Sequence, residues 1–243
     1  MTPLVLVHGF LGGSAQWQGL KDAFGKEREI IALDLPGFGE NAHLSALDRI
    51  EDFAGWVINT IQEQGIGSYH LLGHSMGGMI AQEIARNDAQ RLKKLVLYGT
   101  GARGALPGRF ETIEESKRRA NVDGAAATAS RIAATWLKDR ETSTYFPMIE
   151  KVARRAALPA ILAGLDAMKH WDGQDGLKDI RAQSLVIWGD SDRTYPLSQT
   201  MILSEGIHGS RLCVLTECAH LAHLEKPEMF QSSLMDFLAG DGT

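Results

Sequence analysis

Short apolar runs at residues 4–7, 30–33, 69–72 and 95–98 alternate with stretches whose apolar residues recur at helical spacing, as in Ile50, Phe53, Ala54, Val57 and Ile58. Alternation of this kind predicts βαβ units around a parallel sheet. It stops near residue 100. From 101 to 178 the chain offers only helix-like pieces, broken at Pro107, Gly124, Pro147, Pro159 and Gly173, and strand signals return at 184–188 and 211–215 before a last helix from about 227 to 238. The expected fold class is α/β, with a core built from residues 1–100 and 179–243. Residues 101–178 form a helical cap over the carboxyl ends of the strands, where open α/β sheets place their ligand crevice.

Composition narrows the partners. The chain has 243 residues, 44% of them hydrophobic, enough to bury the core of one large domain. A net charge of −5 and a pI near 5.9 argue against a nucleic-acid partner, which needs a basic surface. The opening residues, Met1-Thr2-Pro3-Leu4-Val5, lack the charged region of a signal peptide, and no later run is apolar for the length of a membrane span. Cys213 and Cys218 lie too near each other to form a disulfide framework. A cytoplasmic protein with reduced thiols is the expectation, with a small molecule as partner, no membrane, and an oligomeric state left open.

At residues 73–77 a strand-like run gives way to a helix-like one through Gly73-His74-Ser75-Met76-Gly77. A serine on so sharp a turn holds a strained backbone, and its neighbours two positions away must lack side chains for the turn to close. The hydroxyl of Ser75 then stands exposed, and the N-terminal end of the following helix favours negative charge on a bound carbonyl oxygen. A hydroxyl becomes a good nucleophile only with a base, and the base needs an orienting group. Two later strand ends supply them: 188–196 holds Asp190 and Asp192, and 217–227 holds His220 and His223.

Together these residues resemble the α/β-hydrolase family, whose late motifs read G-x-x-D-x-x-x-P and G-H-x-x-x-x-E-x-P. The resemblance makes Asp192 the orienting acid and His220 the base, since His220 has the family distance to Glu225 and Pro227. Asp190 and His223 are the rivals for those two roles. Val7-His8-Gly9-Phe10 resembles the family's H-G-x loop, which implies an oxyanion hole made by the backbone amides of Phe10 and Met76, with His8 holding the loop rather than reacting. Asp34-Leu35-Pro36-Gly37-Phe38-Gly39 matches the family's D-x-x-G-x-G loop and lacks the lysine of a phosphate-binding loop. The family usually has two strands before the H-G-x loop. Here that loop begins at residue 8, so a sheet of about six strands is expected, as in compact members of the family.

Within the family the chain is similar to small ester and lactone hydrolases such as the 3-oxoadipate enol-lactonases. Leu221 stands where carbon–carbon bond hydrolases tend to have an aromatic residue, and Ser75 excludes the carboxylate nucleophile of haloalkane dehalogenases. The resemblance implies cleavage of a small carboxylic ester or lactone through an acyl-enzyme, with no cofactor and no metal. Two alternatives remain: a cofactor-free carbon–carbon hydrolase or lyase using the same triad, and a slow-turnover ligand receptor on the same fold. Residues 101–170 hold twelve Lys and Arg against eight Asp and Glu, which leaves −9 for the rest of the chain. Arg103 and Arg109 are therefore expected to attract a substrate carboxylate. Trp136, four residues after Ile132 on a helix read as capped by Asp123, is expected to wall the pocket.

Overall fold

The six apolar runs become six strands of one sheet, and the four inner ones bury side chains on both of its faces. In the computed structural model, which describes residues 1–25, 27–106 and 111–239, β1 (Leu4–Val7), α1 (Gln18–Phe24), β2 (Ile30–Leu33), α2 (Ile50–Glu63), β3 (Tyr69–His74), α3 (Met76–Asn87) and β4 (Leu92–Tyr98) come first. Four helices follow: α4 (Ile113–Asp123), α5 (Ala125–Ala134), α6 (Phe146–Ala153) and α7 (Leu158–His170). The chain then returns to the sheet with β5 (Gln183–Gly189), α8 (Leu197–Gly206), β6 (Arg211–Leu215), α9 (Ala222–Glu225) and α10 (Pro227–Ala239).

The sheet order is β2-β1-β3-β4-β5-β6. Each of the five pairings is parallel. Side chains alternate across it with the period of two that a strand imposes. Val5, Val7, Leu71, Leu95, Leu97 and Val186 join one core with α2 and α3, whereas Leu4, Leu6, Leu72, Val96, Tyr98 and Ile187 join a second core with α1 and α10. Parallel strands covered on both faces read as continuous apolar runs, which is why the strands stood out in the sequence.

One expectation about the α4–α7 segment needs correction. Asp123 ends α4 and does not cap α5. Gly124 stands between the two helices at φ +81°, a conformation that costs glycine nothing, and Trp136 lies just beyond the end of α5. The cap of α4 is Thr112, whose hydroxyl accepts from the Glu115 amide at 3.1 Å. Among the described residues no helix is long and apolar enough to cross a membrane.

Candidate active site

Ser75 sits between the last residue of β3 and the first of α3 at φ +57° and ψ −122°. A non-glycine residue there is strained, and its surroundings must hold it. They do so through glycines. A Cβ on Gly73 would lie 2.2 Å from the Gly77 carbonyl, one on Gly77 2.3 Å from the Val7 carbonyl, and one on Gly9 2.7 Å from the Ser75 Cβ. The Ser75 amide donates to the Tyr98 carbonyl at 3.0 Å, and the Ser75 carbonyl accepts from the Thr100 hydroxyl and the Gly78 amide, each at 2.8 Å. The strained turn is thus anchored to β4.

The loops after β5 and β6 bring an acid to an imidazole. His220 Nδ1 lies 2.8 Å from Asp192 Oδ2, with both side chains buried. The other carboxylate oxygen of Asp192 accepts from the amides of Thr194 (2.7 Å) and Tyr195 (3.2 Å), which fixes its orientation. Asp190 is exposed and accepts from the Ser191 hydroxyl at 3.0 Å. The His220 ring stacks on Tyr195 at 5.8 Å between centroids and lies 6.3 Å from Trp136 and 4.5 Å from His74, the neighbour of Ser75.

His223 occupies a different place. Its ring packs on Trp17 at 4.6 Å, its Nδ1 lies 3.1 Å from the Tyr98 hydroxyl, and burial pushes its pKa down to about 3. The support behind His220 is a feature the motifs did not announce. The Tyr98 hydroxyl donates to the His220 carbonyl at 3.0 Å, and His74 Nε2 lies 3.0 Å from the same oxygen. Burial, then the neighbouring His220 and His223, holds the His74 pKa well below its usual range. A neutral His74 can therefore donate from Nε2 while Nδ1 faces the Gln16 amide nitrogen at 3.4 Å.

His8 pins the loop after β1. Its Nε2 accepts from the Leu35 amide at 3.0 Å, and its Nδ1 lies 2.7 Å from the Gly9 carbonyl. Burial lowers its pKa, so it is neutral, as accepting from an amide requires. The Gly12 amide closes a turn onto the Gly9 carbonyl at 3.0 Å, and that bond does not use the amide of Phe10. Met76 is the first residue of α3, where an amide has no partner one helical turn back and the helix dipole is positive.

A cavity of about 20 Å³ adjoins Ser75. Phe10, Leu106, Ile132, Trp136, Met168 and Thr194 contribute to its wall, so α5, α7 and the segment after α5 face the strand ends. None of its described lining residues is charged. Arg103 does not line it; its guanidinium pairs with Asp172 at 3.0 Å on the surface. Arg109 lies outside the described residues. Other cations of this segment are also held by carboxylates: Lys117 by Asp166, Arg118 by Glu115, Arg131 by Glu111, Arg155 by Glu40 and Lys169 by Glu114. Two long-range contacts tie the segment to the loops below. Arg193 donates to the carbonyls of Leu137 and Lys138, both at 3.1 Å. Glu225 accepts from the Lys138 amide at 2.7 Å and the Ala219 amide at 2.6 Å. A roomier open groove of about 650 Å³, between Thr2, Phe24 and α10, lies at the amino end of the sheet and contains none of these residues.

A hydroxyl on a strained turn at the head of a helix, with a carboxylate-oriented imidazole on the same rim of a parallel sheet, defines a site suited to nucleophilic chemistry on a carbonyl. The model of the alpha/beta hydrolase fold family matches residues 2–227, and the chain belongs to that family. It is 31% identical over 97% of its length to a 2-hydroxy-6-oxononadienedioate/2-hydroxy-6-oxononatrienedioate hydrolase of Paraburkholderia phymatum, of which it covers 86%. It is 29% identical over 98% of its length to the dihydrolipoyllysine-residue acetyltransferase component of an acetoin cleaving system of Pseudomonas putida, and spans 63% of that relative. The crystal structure of an enol-lactonase from Burkholderia xenovorans superposes with a TM-score of 0.90 at 22% identity, covering 98% of this chain and 92% of that one, which shows the shared fold. The chain has the alpha/beta hydrolase fold.

Proposed function

We propose that the protein is a serine hydrolase that cleaves a small carboxylic ester or lactone through an acyl-enzyme. His220 takes the proton of the Ser75 hydroxyl as Ser75 Oγ bonds to the substrate carbonyl carbon, and Asp192 stabilises the imidazolium through Nδ1–H. The amides of Phe10 and Met76 hold the oxyanion. Collapse breaks the bond to the alkoxy oxygen, which leaves with the proton from His220. Water, deprotonated by His220, then attacks the acyl carbon, releasing the acid and restoring Ser75. Helices α4–α7 act as the cap that shapes the acyl pocket. The observation that supports this reading best is the 2.8 Å contact from Asp192 to His220 Nδ1 on the rim that also presents Ser75 at positive φ.

The similarity to the nonadienedioate hydrolase favours a second reading, attack by the same residues on a carbon–carbon bond. A dioate brings two carboxylates, whereas the described cavity wall holds no cation, so the ester reading fits better. The test uses a panel of aryl, short-chain, thio- and lactone esters with a phosphonate ester as label. Ser75→Ala should lower turnover by about 10³-fold or more and abolish labelling, given how triad members act as a unit. Label on another residue, with Ser75→Ala still active, would sink the mechanism. A single burst without further turnover would point to a receptor.

A further inference from the structure

Thr194 lies two residues after Asp192, and its backbone amide donates to that carboxylate. Its hydroxyl is in a different situation. Thr194 Oγ1 is shut off from solvent and meets no hydrogen-bond partner among the described residues, yet Thr194 lines the cavity with Ser75. An unpaired buried hydroxyl is a standing cost to the fold, and valine would give the same shape without it. Around it the wall is mostly apolar, with Leu106, Ile132, Trp136 and Met168. Orienting a ligand in such a pocket takes a few well-placed polar groups.

We propose that the Thr194 hydroxyl is a substrate-binding group that donates a hydrogen bond to an uncharged acceptor oxygen, an ether or carbonyl oxygen carried by the substrate in addition to its scissile ester. The inference rests on the serine-hydrolase reading of the site. An uncharged oxygen is specified because no described lining residue offers a charge to pair with a carboxylate.

The experiment compares Thr194→Val and Thr194→Ser with the wild type on two matched ester pairs, methoxyacetyl against butyryl on the acyl side and 2-methoxyethyl against butyl on the alcohol side. Rates are corrected for each ester's hydroxide-catalysed reactivity. For the ether-bearing member of at least one pair, Thr194→Val should lower kcat/KM by about tenfold, the worth of one neutral hydrogen bond. The methylene member should stay within about twofold, and Thr194→Ser should restore the ether-bearing rate. The melting temperature of Thr194→Val should equal or exceed the wild type's, because the hydroxyl has no partner among the described residues to lose. Equal losses within both pairs, no loss in either, or a lower melting temperature with a uniform loss would overturn the inference, the last by assigning the hydroxyl to the fold. If the wild type turns over none of the panel, or Ser75→Ala is as active, the hydrolase reading itself fails and takes this inference with it. Ser75-dependent turnover without a selective Thr194 effect overturns the inference alone.

Discussion

His220 and His223 are three positions apart, yet their rings do different work. One faces Asp192; the other is sandwiched among Trp17, Tyr98 and Phe230. His220→Ala should therefore abolish both ester turnover and phosphonate labelling while the melting temperature changes little. His223→Ala should keep labelling at Ser75 and lose about 1–3 kcal/mol of stability through lost packing and an orphaned Tyr98 contact. Paired calorimetry and labelling rates check this, and the opposite ranking would mean that the loop is registered three residues away. The strand-end positions of Ser75, Asp192 and His220, and the approach of Asp192 to His220, were legible in the sequence because each residue follows a strand at a fixed spacing. His74, Tyr98 and Thr194 were not. His74 and Tyr98 contact the His220 carbonyl far along the chain, and the Thr194 hydroxyl has no partner among the described residues, so no local pattern announces any of the three.

At the level of elements, the strands could be read within a few residues of their ends, since fully buried parallel strands leave unbroken apolar runs. The helices between β4 and β5 were read less well. Asp123 is a good capping residue by type, but Gly124 at φ +81° turns the chain between α4 and α5, and the useful signal was Thr112 followed three residues later by Glu115. The ties made by Glu225 were equally invisible, because one carboxylate joins an amide of the α5–α6 connection to the amide preceding His220. Glu225→Gln keeps the size of the side chain and replaces one acceptor with a donor facing an N–H. It should lower kcat about tenfold by loosening the His220 loop, in line with the worth of a charge-assisted hydrogen bond. Steady-state kinetics on the best ester of the panel measures it, and an unchanged kcat would reduce Glu225 to a surface tie.

Across the whole molecule, three buried histidines set the response to acid. His8, His74 and His223 all have pKa values lowered chiefly by burial, His223 to about 3. Above the usual value of 6.5 they are neutral both folded and unfolded and contribute no pH dependence. Below it the unfolded chain binds more protons at each than the folded chain does, so stability falls with pH, by up to about 1.4 kcal/mol per unit for a histidine that stays neutral in the fold. For His223 this continues until pH approaches about 3. The paired carboxylates Glu111, Glu114 and Glu115 have pKa values below their usual 4.5, so their own loss comes later. Melting temperatures should be level from pH 8 to 7 and decline steadily from 6.5 to 5; a level profile through that interval would contradict the burial of neutral imidazoles.

In the described conformation the space beside Ser75, about 20 Å³, has room for one water molecule. On the reading proposed above, an ester reaches Ser75 where part of the cavity wall moves aside, so the fraction of molecules with the wall open would enter the apparent affinity. The measured dissociation constant equals that of the open form divided by this fraction, so an open population of about one in a hundred would weaken apparent affinity about a hundredfold without altering a single contact. A smaller side chain at Trp136, Leu106 or Met168, which line that wall, would then raise the open fraction, and selectivity among esters would follow how far each needs the wall to move.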